Sequence, residues 1–148
     1  WHQDYPYNML AMNAATAWIP IRPVTGDMGR LNVRTPLAGL QPIAYDEEAK
    51  QQFHNSRYIG IKDLDARGAA WDREAVIAPD MYPGDLLLLH ALSLHKSGAN
   101  RSMCSRWVAT ARYGPFMDDA LYERTWFTAR AKYPDIFKHH HPDLFTKR

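Results

Sequence analysis

Two clusters nearly a hundred residues apart hold the side chains best suited to chemistry. The first is Trp1-His2-Gln3-Asp4; the second is His95-Lys96-Ser97-Gly98-Ala99-Asn100-Arg101-Ser102, followed by Arg106. Side chains on an extended segment alternate with period two, so His2 and Asp4 point to the same side. A fold that brings His95 alongside them assembles two imidazoles and one carboxylate. Such a set holds a non-heme Fe(II) on one face and leaves the other open for co-substrate and oxygen. Arg106 stands eleven residues beyond His95. Its rigid fork stays charged and grips a carboxylate through paired hydrogen bonds, which suits an anionic co-substrate.

Singly, these residues say less. A lone His-x-Asp pair fits a solvated N-terminal segment better than a metal site. An isolated His95 is more often a hydrogen-bonded structural histidine than a ligand, and Arg106 alone fits a surface salt bridge. Two histidines and a carboxylate also suit zinc, but no His-Glu-x-x-His pattern or general-base Glu accompanies them. His90 competes with His95, yet on one continuous strand the two would face opposite sides. His139-His140-His141 reads as a solvated tail, because consecutive histidines cannot all converge from one backbone. His54 has no visible partner.

Composition sets bounds on the class. The 148 residues fit one domain able to bury about two-thirds of its unfolded surface. Hydrophobic residues at 46% and charged residues at 23% are ordinary for a globular protein. A net charge of +2 is too small to call for nucleic acid or an anionic membrane as partner. The single cysteine, Cys104, excludes an internal disulfide framework and fits a reducing compartment, so a cytoplasmic location is expected. The longest apolar run, Leu86 to Leu89, is far shorter than the ~20 residues of a membrane helix. The chain opens on Trp1 inside the first cluster, so an N-terminally truncated chain is expected, with targeting signals or further domains upstream left open.

The elements that must position these residues are mostly short strands. Residues 14–19 predict a strand with Ala15, Ala17 and Ile19 on one side and Thr16 and Trp18 on the other, limited by Pro20 and Pro23. Residues 29–33 predict a second, with Leu31 and Val33 sharing a face. Residues 35–44 read as loop, and residues 46–54 as a helix with Asp46 in a capping position. Further strands are expected over 58–61 and 75–78. Pro83-Gly84-Asp85 turns the chain into residues 86–90, apolar on both faces and so expected to form a central, doubly covered strand. Residues 97–100 turn it again. In residues 106–113, Trp107, Ala109, Ala111 and Tyr113 alternate with Arg106, Val108, Thr110 and Arg112, and alternation alone does not say which set is inside. The stretch from Asp118 to about Lys132 reads as helical. Many short strands with Gly/Pro turns imply a mainly β, double-sheet architecture.

With these motifs in view, the sequence resembles the phytanoyl-CoA dioxygenase family of Fe(II)/2-oxoglutarate oxygenases. The matching residues are Trp1-His2-Gln3-Asp4, Ala17-Trp18-Ile19-Pro20, Pro83-Gly84-Asp85 with its leucine run, the segment from His90 to Ser102, Arg106, and Arg112-Tyr113. The segment around His95 is the specific part. The resemblance implies a double-stranded β-helix (jelly roll, cupin-like barrel) with a few flanking helices, incomplete at the N-terminus. It implies one catalytic domain over 1–148, with about 1–113 as barrel and 114–148 as a helical or irregular tail. His2, Asp4 and His95 would be the iron ligands and catalytic residues. Arg106 would pair with the distal carboxylate of 2-oxoglutarate, Ser97 would be a supporting hydroxyl, and Gln3 and Trp18 would line the co-substrate site. A His at position 90 in the family is not an iron ligand, which favours a supporting or packing role for His90.

The implied reaction consumes 2-oxoglutarate and O2, releases succinate and CO2, and hydroxylates a small organic substrate. Related halogenases replace the carboxylate with a small residue; retention of Asp4 favours hydroxylation. Relatives commonly carry a Pro-Gly-Ser-His turn where this chain has Arg34-Thr35-Pro36-Leu37, so substrate identity does not carry over. Tyr5, Tyr7, Asn8, Arg22, Arg34 and Arg112 are polar or aromatic groups within reach of a pocket, each more readily structural than a substrate contact. Alternatives are a non-catalytic cupin-like binding module, which has no need of Arg106 at this spacing, and a zinc hydrolase. No nucleic-acid or membrane partner is expected, and the oligomeric state stays open.

Overall fold

The computed structural model describes residues 1–8, 11–34, 40–46, 60–115 and 138–146. Expected helices over 46–54 and from Asp118 to Lys132 lie outside these residues, except that Asp46 belongs to a short strand rather than a helix cap. The described chain is mainly β. In order it forms α1 (Tyr5–Asn8), β1 (Ala15–Pro20), β2 (Leu31–Arg34), β3 (Tyr45–Asp46), β4 (Gly60–Ile61), α2 (Leu64–Glu74), β5 (Ala75–Ile77), β6 (Leu87–His90), β7 (Leu94–Ser97), β8 (Val108–Tyr113) and β9 (Phe145–Thr146). No described helix is long and apolar enough to cross a membrane.

The strands make three small sheets, ordered β6-β1-β8, β5-β2-β7 and β4-β3-β9. The first two are antiparallel throughout; the third joins an antiparallel β3–β4 pair to a parallel β3–β9 pair. Among the described residues the first two sheets face each other without closing into a barrel. Between them lies an apolar layer in which Trp18, Leu31 and Leu89 pack with Val33, Leu87 and Val108. A second cluster occupies the other side of β7, where Leu94 and Leu92 meet Tyr5, Tyr45, Ile61 and Trp71.

Register settles the question alternation left open. Trp18 lies opposite Leu87 on one side and Thr110 on the other, and Thr16 opposite Leu89 and Arg112. Directly opposed residues share a face, so Arg106, Val108, Thr110 and Arg112 belong to the inward set. Trp107 and Tyr113 are turned outward and exposed. The leucine run departs from expectation: β6 is an edge strand of its described sheet, and Leu86 and Leu88 are exposed while Leu89 is buried. Its alternation serves one face only.

Two elements escape the sequence patterns. Residues 94–97 form β7 rather than a lead-in to a turn, because the chain reverses at Ala91–Leu92 and places His90 and His95 on different strands. Helix α2 carries Gly68 at its centre, and of its residues only Trp71 is buried, so its apolar periodicity is weak. Leu64 and Trp71, seven residues apart, press that face onto the second cluster. His141 is not a solvated tail residue: its Nε2 lies 2.9 Å from the Tyr5 hydroxyl, near the point where β9 pairs with β3.

Trp71 is therefore the chief anchor of α2. Trp71→Ala should cost about 3–5 kcal/mol of stability, the usual cost of deleting a buried aromatic ring. Urea unfolding followed by circular dichroism measures it, and a loss below ~1 kcal/mol would remove α2 from the core.

Candidate metal centre and co-substrate wall

The first residues enter the fold through one isolated bridge. His2 N–H donates to the His95 carbonyl at 2.9 Å, and His95 N–H donates to the His2 carbonyl at 3.0 Å. This mutual pair makes the two histidines direct cross-strand partners, and their rings lie 4.2 Å apart between centroids. Asp4, two residues on, comes to the same side. Its Oδ1 is 3.7 Å from His2 Nε2 and 3.9 Å from His95 Nε2. Ligand atoms of His2, Asp4 and His95 all lie within 4.8 Å of one another.

The donor chemistry suits a metal ion. Asp4 and His95 are buried, at 5% and 6% exposure. His95 Nδ1 is 2.9 Å from the Ser93 carbonyl, which can only accept, so Nδ1–H donates there and Nε2 is the nitrogen turned toward Asp4. Partial burial of a side chain still 40% exposed, reinforced by neighbouring His95, pushes the His2 imidazole down from 6.5 to about 4 against the pull of Asp4. His2 is therefore neutral near pH 7, the form that ligates. The Thr16 hydroxyl donates to Asp4 Oδ2 at 2.6 Å. One carboxylate oxygen is thus held by the protein, and the other faces both imidazoles.

Arg106, Ser97 and Trp18 gather on the same interior. Ser97 shares the face of His95 on β7, opposite Leu31, as His95 is opposite Val33. Arg106 donates from Nη2 to Ser97 Oγ at 2.7 Å and from Nη1 to the Gly29 carbonyl. Its guanidinium carbon lies 6.0 Å from the Trp18 ring centre. Partial burial pushes the Arg106 pKa down from its ordinary value, and a guanidinium is effectively always charged in proteins. Gly29 is required here: its φ is +77°, and a Cβ would meet the Gly98 carbonyl oxygen at 2.4 Å.

Gln3 is placed elsewhere. Alternation turns it away from His2 and Asp4, and its amide donates to the Gln41 and Leu92 carbonyls, both at 2.8 Å. Its oxygen accepts from Ile43 N–H at 3.1 Å and the Tyr45 hydroxyl at 3.2 Å. Among the described residues it ties loops together rather than lining the wall that holds Arg106. His90 is also apart, its Nδ1 accepting from Leu92 N–H at 3.1 Å in the β6–β7 turn. Two side chains that motif reading passed over do reach the centre. They are Thr16, which no motif singled out, and Arg112, which the motifs included without a role at the metal centre and whose Nη2 is 3.7 Å from Asp4 Oδ1. The signal for both was parity, Thr16 with Trp18 and Arg112 with Arg106.

Comparison with known proteins agrees with this geometry. The family model of phytanoyl-CoA dioxygenase matches residues 1–108. A curated relative, the 1-deoxypentalenic acid 11-beta-hydroxylase of Streptomyces arenae, is 33% identical over 104 residues, covering 69% of this chain and 35% of the relative. The chain thus spans about a third of that relative's length.

Thr16→Val keeps the shape of the side chain and removes the donor to Asp4. Affinity for Fe(II), or for Co(II) as a stable substitute, should fall about 10–100-fold, as when a ligand loses its supporting hydrogen bond. Unchanged affinity by competition titration would separate Thr16 from the centre. A pH test follows from His2: unfolded, it takes up a proton as pH falls through 6.5, whereas folded it resists until about 4. The unfolded state binds more protons in that window, so metal-free stability should be full above pH 6.5 and decline toward pH 4. His2→Gln should flatten that decline in thermal melts; an identical slope in both proteins would show that His2 is not held neutral.

Proposed function

The chain belongs to the phytanoyl-CoA dioxygenase family, and from that premise we propose that it is an Fe(II)- and 2-oxoglutarate-dependent hydroxylase of a small organic molecule. The observation that carries this reading is the convergence of His2, Asp4 and His95 beside a wall that also holds Arg106, Ser97 and Trp18. A metal site alone would suit zinc as well. An arginine fork fixed on the same interior is what an oxygenase with a dicarboxylate co-substrate requires, and a hydrolase or a passive binding module has no use for it.

In this reading His2, Asp4 and His95 hold the ion on one face. Bound Fe(II) supplies the redox chemistry that couples decarboxylation of 2-oxoglutarate to hydroxylation of a C–H bond. The protein's own contribution is geometry. Arg106 binds the distal carboxylate of 2-oxoglutarate through two parallel hydrogen bonds, Ser97 and the Gly29 carbonyl hold the guanidinium in place, and Trp18 flanks it. The apolar layer of Leu31, Val33, Leu87 and Leu89 keeps water from the interior. Two facing antiparallel sheets, with His2 and His95 on one and Arg106 leading into the other, support the reading of a double-stranded β-helix. Hydroxylation is carried over from the named relative; its substrate is not.

Anaerobically prepared protein with Fe(II), 2-oxoglutarate and O2 should release succinate at a rate that vanishes when Fe(II) is removed. Asp4→Ala should abolish it. Arg106→Lys keeps the charge but loses the fork, so KM for 2-oxoglutarate should rise about tenfold or more, the value of one charge-assisted hydrogen bond. An unchanged 2-oxoglutarate dependence in Arg106→Lys, or iron-independent turnover, would overturn the assignment.

A further inference from the structure

We propose that Arg112 receives a carboxylate of the substrate, on the opposite side of the metal centre from Arg106, so that the substrate is a small carboxylic acid. This rests on the oxygenase reading and deepens it.

Arg112 belongs to the same inward set as Arg106, six residues further along, a path of about 20 Å on an extended chain. One guanidinium sits beside Ser97 and the other beside Asp4. The cation at the Asp4 end is not committed to what it touches. Its Nη2 is 3.7 Å from Asp4 Oδ1, beyond hydrogen-bond length, and Asp4 Oδ2 is already held by Thr16 at 2.6 Å. Among the described residues the Arg112 guanidinium has this one ion pair and no hydrogen bond. It is accessible, with its side chain 35% exposed, in a niche it shares with Asp4, Thr16, Tyr5 and Asn8. The rest of the niche is lined by alanines, among them Ala14, Ala15 and Ala91, and the space between them is about that of one water molecule, so only the oxygen end of a ligand enters it while the remainder lies outside.

Charge complementarity points the same way. A dication, the Asp4 carboxylate and a doubly negative co-substrate matched by Arg106 sum to neutrality, since both histidines are neutral as ligands. Arg112 is the positive charge left over, and a monoanion balances it. Its fork selects a planar carboxylate over other monoanions. Because the guanidinium lies beside a ligand oxygen, the reacting C–H must lie only a few bonds from the substrate's acid group.

The test uses the full natural chain loaded with Zn(II) and saturated with N-oxalylglycine, an inert 2-oxoglutarate analogue. Propionate and propionamide are titrated in turn while arginine side-chain N–H signals are followed by NMR, the Arg112 signal being identified by its loss in Arg112→Gln. Propionate should shift that signal saturably and propionamide should not. Arg112→Gln should weaken propionate binding about tenfold or more with N-oxalylglycine affinity unchanged, and Arg112→Lys should restore part of it. The proposal is overturned if propionamide acts like propionate, or if the Arg112 signal does not move. It is also overturned if Arg112→Gln retains propionate binding while losing Zn(II) affinity, which would make Arg112 a positioning residue for Asp4. If Arg112→Gln fails to fold, wild-type discrimination between acid and amide still decides, with Arg112→Lys supplying the signal assignment. Failure of N-oxalylglycine to bind, with propionate still shifting Arg112, would overturn the co-substrate reading and the charge balance drawn from it, while supporting Arg112 as a carboxylate receptor.

Discussion

Two backbone hydrogen bonds, exchanged between His2 and His95, carry the organisation of the site. They join the first residues to a strand more than ninety positions away and set the two imidazoles side by side without any side-chain contact being needed. Once that register is fixed, Asp4 follows from the pleat, because residues two apart on an extended segment share a face. β7 in turn is paired with β2 along its length. The ligand set is therefore as rigid as the sheet that supplies it, and only the helical turn beginning at Tyr5 ends the extended entry.

The β6-β1-β8 sheet supplies most of the site that is not a ligand, Ser97 of β7 being the exception. Thr16 and Trp18 come from β1, Arg112 from β8, and Arg106 from the residues leading into β8. This accompanies an inversion of ordinary patterning in residues 106–113, where Thr110 and Arg112 share the face of Trp18 while Trp107 and Tyr113 are exposed. An interior built only for packing would have taken the aromatic set. An interior that received carboxylates, as proposed, would need the cations, and the apolar filling comes from Leu31, Leu87 and Leu89. Burying Asp4 is tolerated on the same terms: a carboxylate removed from water needs hydrogen bonds or charge partners, and Thr16 and Arg112 provide one of each.

Much of this was legible in the sequence, and the illegible parts have physical causes. Period-two alternation located β1, β2 and β8 and sorted their faces, and the two motifs named the residues that converge. Alternation could not say which face of β8 is interior, because that depends on which side of β1 meets the other sheet. The same limit misjudged residues 86–90: four leucines look doubly buried, but edge position is a property of pairing, not of composition. β7 was hidden because its polar pair, Lys96 and Ser97, runs into residues 97–100, which read as a turn. Helix α2 was hidden by Gly68 and by charged residues on most of its turns. Gln3 shows the cost of reading a motif as a block: its neighbours face the centre, and the pleat that turns them in turns Gln3 out.

The three ligands are not equally sheltered. The His2 side chain is 40% exposed, whereas those of Asp4 and His95 are 7% exposed. Ion exchange at such a centre has a direction. Solvent reaches the His2 side first, so a bound ion would exchange through His2, while Asp4 and His95 would keep a two-point hold in the protein interior. Rates of metal loading and loss would then follow how readily the two hydrogen bonds that pin the His2 segment to β7 open.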